Sequence, residues 1–159
     1  MLGCRGYGRH AGYLALNVGI ACGATSILVP EIEYDFERDV LERIRKTSAT
    51  GKKHFIIVVA EGVEQEVTKI AQLVKEATGI ESRATILGHV QRGGSPSLTD
   101  RVLASRMGYE AVRLLREGKS NRVVAIQNDK LVDFDIEEAL RMRKTLDISL
   151  YEMAHEISI

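Results

Sequence analysis

The stretch Gly88-His89-Val90-Gln91-Arg92-Gly93-Gly94-Ser95-Pro96 puts a cationic side chain, an imidazole and flexible backbone N–H groups within nine residues. It follows the apolar run Ala84 to Leu87, while Glu61-Gly62 follows the apolar run Phe55 to Ala60. A carboxylate accepts hydrogen bonds from sugar hydroxyls, and His89, Arg92 and the glycine-loop N–H groups can surround a phosphate. Together these residues describe a sugar phosphate site. The plainer alternative makes Gly93-Gly94-Ser95-Pro96 a turn feeding a helix cap and Arg92 a solvated side chain. Arg83 begins the run that ends at Gly88, so about five residues at roughly 3.3 Å each hold it about 16 Å from the loop. One phosphate cannot reach both ends. Arg83 either serves a neighbouring subunit's pocket across a symmetric interface or is a surface arginine.

Other basic residues lie elsewhere. Gly6-Tyr7-Gly8-Arg9-His10-Ala11 fits GxGxxA with Glu31 further on, in the manner of a dinucleotide-binding fingerprint. That fingerprint needs a strand directly before its first glycine, and Met1 to Arg5 has too few apolar residues for a central strand. Arg9 and His10 nevertheless precede a helix, where an arginine could clamp a transferring phosphoryl group beside the helix dipole. Lys52-Lys53-His54 reads as a basic turn leading into a strand, and His155 as a packing or surface residue of a terminal amphipathic helix.

These residues need a scaffold that brings the ends of distant apolar runs together. The periodicity alternates short β-rich runs with longer helical spacing, which predicts an α/β fold, a parallel sheet layered between helices. Helices are predicted over about Gly12 to Cys22, from Asp35 to before Gly51, from Glu64 to Gly79, and from Ser97 to Gly118. Ser97 is the N-cap of the last, with Asp100 as its acidic N3 partner. Strands are predicted at Ser26 to Val29, Phe55 to Ala60, Ala84 to Leu87 and Arg122 to Ile126, with two short helices at the end. Open sheets of this kind bind ligands beyond the carboxyl ends of their strands, which is where Glu61 and the Gly88 loop fall.

Composition narrows the function classes. Of 159 residues, 45% are hydrophobic and 28% charged, and 22 basic residues balance 22 acidic ones, so no net field steers the chain to nucleic acid or an anionic membrane. Cys4 and Cys22 match no disulfide scaffold or metal-ligand spacing, no metal site is expected, and the chain reads as a reducing, cytoplasmic protein. Its longest apolar runs are far below the ~18 residues needed to span a bilayer, and no signal peptide is evident.

Several segments together resemble the C-terminal half of bacterial-type 6-phosphofructokinase. They are Gly8-Arg9-His10-Ala11-Gly12, Gly51-Lys52-Lys53-His54, Ala60-Glu61-Gly62-Val63, Leu87 to Pro96, Asp100 to Arg106 and Ile126-Gln127-Asn128. The resemblance implies transfer of the ATP γ-phosphoryl group to fructose 6-phosphate, with Mg²⁺, in an allosteric homotetramer. It implies that Glu61 binds sugar hydroxyls, that His89, Val90, Gln91 and Arg92 line the substrate loop, with His89 and Arg92 on the 6-phosphate, and that Arg83 reaches that phosphate from a neighbouring subunit. Tyr7, Gly8 and Arg9 match a substrate-contacting motif in which Arg9 would stabilise charge on the transferred group. Gly23, Ala24, Thr25, Thr50, Lys52, Lys53 and His54 match an ADP effector site.

The departures from the family are specific. Met1 to Gly6 do not follow its pattern, Tyr7 stands for a usual Met, Thr25 for a metal-holding Glu and Thr50 for a basic effector residue. The family's ATP-phosphate loop and catalytic Asp belong to an N-terminal half that is not among these residues, as are any Mg²⁺ ligands. The resemblance further implies that 1–92 and 142–159 form the sugar domain, and that 93–141 packs into the ATP-binding domain. Val123, Val124 and Ile126 should then pack irregularly or expose apolar surface. A pyrophosphate-dependent relative, a non-catalytic sugar-phosphate-binding remnant and a dinucleotide-binding domain are the competing readings.

Overall fold

The computed structural model describes residues 1–6 and 10–158. Their elements run β1 (Leu2–Gly6), α1 (Tyr13–Ala21), β2 (Ser26–Leu28), α2 (Glu42–Ala49), β3 (Ile56–Ala60), α3 (Val67–Thr78) and β4 (Arg83–Ile86). There follow α4 (Leu98–Arg116), β5 (Arg122–Gln127), β6 (Lys130–Asp135), α5 (Ile136–Arg141) and α6 (Ile148–Ile157). They fall into two compact units, Met1–Gly93 with Leu146–Ile159, and Gly94–Thr145.

The first unit is built on the β-branched run Ile-Ile-Val-Val-Ala of β3, which is buried on both faces. Strands pair in parallel in the order β2-β3-β1-β4, giving an α/β architecture with helices on both sides. On one face Ile57 and Val59 of β3 and Leu28 of β2 pack with Val40, Leu41, Ile44, Val67, Ile70 and Val74. On the other, Val58, Ala60 and Ile27 pack with Ala15 and Leu16 of α1 and Ala154 of α6. Each fully buried aliphatic side chain here contributes about 1.5–3 kcal/mol relative to exposure. α3 stops at Gly79, whose φ of 70° is left-handed.

The structure corrects the reading of Met1 to Arg5. Leu2–Gly6 is a central strand, paired with β3 on one side and β4 on the other. Its place is held by backbone ladders rather than apolar side chains. At Gly3 a Cβ would stand 3.0 Å from Val67 Cγ2, so α3 packs down on the strand where a side chain would otherwise be. The helix expected from Asp35 also begins differently, with one wide π-type turn over Glu37–Leu41 before α2. The Asp39 carbonyl accepts from the Ser26 hydroxyl of β2, which draws it toward the sheet.

The second unit starts with the expected capping box: Ser97 Oγ accepts from Asp100 N–H, and the Asp100 carboxylate accepts from Ser97 N–H at 2.8 Å. Strands β5 and β6 form an antiparallel hairpin that the sequence analysis does not anticipate beyond β5. Its two-residue turn uses Asn128 and Asp129 at φ of 51° and 60°, the twist that hairpins prefer, with Asp standing where Gly is usual. Val123 and Val124 are half-buried in this regular ladder, and Ile126 is exposed. Among the described residues no helix is long and apolar enough to cross a membrane.

Candidate functional site

Chain connections locate the place where the first unit can hold a ligand. From β1 the chain crosses through α1 to β2, and from β3 it crosses through α3 to β4, in opposite directions across the order β2-β3-β1-β4. The neighbours β3 and β1 therefore form a topological switch point, from whose carboxyl ends the connections leave in opposite directions. Gly6 pairs with Ala60, so Glu61 emerges directly beside the end of β1. On the other flank Leu87 N–H donates to the Arg5 carbonyl at 3.3 Å and delivers the Gly88 loop to the same end.

That loop is not an open turn. Gly88–Arg92 forms a short 3₁₀ turn, entered through Gly88 at φ 52° and tied by Gln91 Nε2 donating to the Gly88 carbonyl at 3.1 Å. Gly93 N–H donates to the Val90 carbonyl at 3.2 Å and closes it. A cleft of about 70 Å³ lies between Arg5, Gly6, Glu61, Ile86, Gly88 and Gln91. Glu61 and Gln91 are half-buried, while His89, Val90 and Arg92 are exposed. The structure thus brings Glu61 to the same strand ends as the loop carrying His89, Gln91 and Arg92. Tyr7, Gly8 and Arg9 lie outside the described residues. Arg5, which did not stand out in the sequence, joins this end of the sheet: its Nη2 donates to the Glu61 carbonyl at 3.3 Å. The signal was the GxGxxA motif itself, which calls for a strand before it. Past the ends of β2 and β3 lies a larger cavity of about 620 Å³, lined by Pro30, Glu33, Tyr34, Gly62 and Gln65 among others.

Arg83 is exposed at the opposite end of β4, where its N–H donates to the Met1 carbonyl at 3.0 Å. The effector candidates also sit at this amino edge. Thr25 N–H donates to the Ile56 carbonyl at 2.8 Å, and Lys52 to His54 lead straight into β3. Gly23, at φ 62°, and Thr50 are exposed, Lys52 is half-buried, and Lys53 and His54 are exposed. Ala24 and Thr25 are buried, and the Thr25 hydroxyl has no hydrogen-bond partner, so their side chains pack within the fold.

The dinucleotide reading is answered by topology and by Glu31. The strand before Gly6 exists, but β3 separates β1 from β2, which a dinucleotide fold pairs directly. Glu31 is committed as well: both carboxylate oxygens accept from Gly12 N–H, at 2.8 and 3.0 Å, at the start of α1. Among the described residues no group of three or more His, Cys, Asp or Glu converges as a metal ion's ligand set would.

A second polar cluster packs between the helices. Arg38 Nε and Nη2 donate to the Asp39 carboxylate at 2.7 and 2.8 Å. Burial pushes the Asp39 carboxyl up, but the bonds from Arg38 and from Asp35 N–H outweigh it and leave the group below the usual range. His155 of α6 is buried with its Nε2 unpartnered, and its ring meets Tyr151 edge-on with centroids 4.2 Å apart. Burial first, then the Arg43 charge, depresses it to about 4.

A doubly wound α/β domain with a carboxylate and a basic 3₁₀ loop at its switch point has the architecture of a ligand-binding α/β domain. The model of the phosphofructokinase family matches residues 6–115, and the chain belongs to that family. It is 57% identical over 152 residues to an ATP-dependent 6-phosphofructokinase of Bacillus cytotoxicus, covering 96% of this chain. It is 56% identical to that of Bacillus thuringiensis. The chain spans about half, 47%, of the length of these relatives. Among solved structures, phosphofructokinase from Saccharomyces cerevisiae matches with a TM-score of 0.82 and 28% identity, over 99% of this chain and 23% of that one. Pichia pastoris phosphofructokinase in the T-state matches with a TM-score of 0.80 and 28% identity, over 98% and 18%.

Proposed function

We propose that this chain forms the fructose 6-phosphate-binding half of an ATP-dependent 6-phosphofructokinase, a cytoplasmic glycolytic phosphotransferase that works as a homotetramer. The observation that carries this reading is the meeting of Glu61 and the Gly88–Arg92 turn at the β3/β1 switch point. Glu61 accepts hydrogen bonds from sugar hydroxyls and fixes the ring, while His89 and Arg92 hold the 6-phosphate. Arg83, at the far end of β4, serves a neighbouring subunit's phosphate. Arg9 stabilises negative charge on the phosphoryl group as it passes to the 1-hydroxyl. The base for that hydroxyl, the nucleotide site and Mg²⁺ belong to the other half of the enzyme, and Gly23 with Lys52 to His54 form part of an effector site.

Calorimetric titration of the full chain with fructose 6-phosphate, beside Arg92→Ala, tests the assignment. Loss of a charge-assisted contact should weaken binding by about 2 kcal/mol, roughly thirtyfold. A folded chain that does not bind the sugar phosphate, or an Arg92→Ala chain that binds equally well, overturns the site. A kinase assay on the same sample asks separately whether the chain turns substrate over.

A further inference from the structure

We propose that the cavity between α2 and the end of α6 is a binding site for one hydrogen phosphate ion, held by Arg43 and Lys46 and selected by Glu42. The inference is independent of the sugar phosphate reading.

β2 is an edge strand of the four-stranded sheet. α2 covers one face of it, where Ile44 packs in the cluster of Leu28, and α6 the other, where Ala154 packs in the cluster of Ile27. Residues of both helices line a cavity of about 140 Å³: Arg38, Glu42, Arg43, Lys46, Thr47 and Ser158. Glu42, Arg43, Lys46 and Thr47 fall at i, i+1, i+4 and i+5, so one face of α2 supplies most of the wall. The space is well below the about 300 Å³ at which pockets for drug-sized ligands begin, and suits a small tetrahedral oxyanion rather than a nucleotide.

The lining is cationic, and its cations are unequally employed. Arg38 is already engaged: Nε and Nη2 donate to the Asp39 carboxylate, and Nη2 donates also to the Glu33 carbonyl at 2.8 Å. Arg43 is half-buried, and its Nε is buried with no hydrogen-bond partner. Burial weakens its hold on the proton relative to an ordinary guanidinium, and Asp39, whose charge it feels, is held by Arg38 and by Asp35 N–H. A cation in that position is costly until an anion with free acceptors meets it. Lys46, one turn further along α2, supplies a second positive charge to the same cavity.

The remaining groups specify which anion. Thr47 and Ser158 are 2% and 6% exposed, so the wall carries buried hydroxyl-bearing side chains. Ser158 Oγ already donates to the His155 carbonyl at 3.2 Å and therefore offers an acceptor, as does the Glu42 carboxylate. The complementary ligand has negative oxygens for Arg43 and Lys46 and one proton to donate to Glu42 or Ser158. Hydrogen phosphate has both. Sulfate has the same shape but no proton at neutral pH, so Glu42 repels it and the acceptors stay unmet.

Calorimetric titration of the full chain with sodium phosphate at pH 8, in a buffer without other oxyanions, tests the site. It is run on the unaltered chain and on Arg92→Ala/Lys52→Ala, which removes a cation from each of the other two anion candidates. One phosphate should bind the double variant. Adding Arg43→Gln should weaken that binding at least tenfold and Lys46→Gln at least threefold, while Lys69→Gln, on α3, should leave it unchanged. Sulfate, and methyl phosphate, whose second proton is lost with a pKa of about 6, should bind at least tenfold more weakly than phosphate. Glu42→Gln should close that gap. A double variant that does not bind phosphate, or binding that survives both Arg43→Gln and Lys46→Gln, overturns the proposal. Sulfate or methyl phosphate bound as tightly as phosphate also overturns it, the sulfate result meaning an adventitious ion only. The comparison of anions needs no change at Arg43, so it decides even where Arg43→Gln fails to fold. Fructose 6-phosphate titration of Lys46→Gln separates the two readings: lost phosphate binding with sugar binding intact supports this site alone, and the reverse refutes it alone.

Discussion

Lowering the pH should destabilise this fold through His155 before the carboxylates matter. The ring is buried, its Nε2 has no partner, and the charged groups nearest in effect are Arg43, which opposes protonation, and Asp39, which favours it. Folded, the imidazole binds its proton only near pH 4, whereas in the unfolded chain it binds near 6.5. Across that window the unfolded chain holds more protons, so stability falls as pH falls. At about 1.4 kcal/mol per pH unit, the loss reaches about 2 kcal/mol between pH 7.5 and 5, and about 3 kcal/mol by pH 4. Asp39, held below the ordinary carboxylate range, adds its loss only at more acid pH. Urea unfolding followed by circular dichroism at pH 7.5, 6.5, 5.5 and 4.5 measures this on the unaltered chain and on His155→Gln. The variant should be less stable at neutral pH and have a flatter profile between 6.5 and 4.5. Parallel profiles would show that His155 is not the proton acceptor and that its burial is not held on acidification.

Glu61→Gln keeps the size of the side chain but weakens its acceptor, and should reduce fructose 6-phosphate affinity about tenfold in the same calorimeter. Gly12→Ala should cost about 1–3 kcal/mol in urea unfolding, because a Cβ there would fall 2.3 Å from Val29 Cβ and 2.7 Å from Glu31 Oε2. Asp129→Gly should stabilise the second unit by up to about 1 kcal/mol, seen as a higher melting temperature, since Asp129 sits at φ 60°. A lower melting temperature would mean that its side chain holds the turn.

Long amphipathic patterns were the most legible part of the sequence. Val67, Ile70, Ala71 and Val74 form one buried stripe of α3, and the Ser97–Asp100 capping box marks the start of α4. Glu61 and the Gly88 loop were legible for a related reason: both follow an apolar run, and the carboxyl ends of parallel strands are where such a sheet presents its loops to a ligand. β1 was not legible because hydrophobicity is only one way to earn a central position. Leu-Gly-Cys-Arg-Gly contributes backbone to two ladders and leaves space at Gly3, and neither property registers in an apolar count. β6 escaped because Asn128-Asp129 makes a tight turn without glycine, and because Lys130–Asp135 mixes charge into its alternation. The burial of Thr25 followed from its position at the head of β2, which residue type alone does not reveal.

The strand order sets a timetable for the chain's synthesis. β1 leaves the ribosome ahead of both its partners, Ile56–Ala60 and Arg83–Ile86, which lie more than 50 residues downstream. Pairing across such separations has a large loop-closure cost and slows folding. The apolar layer against α1 is completed later still, by Leu146 and by Ala154 of α6, after the whole of Gly94–Thr145 has been made. During that interval Ala15, Leu16 and Ile27 lack the last of their cover, so apolar surface stays open to association until Leu146 and α6 dock.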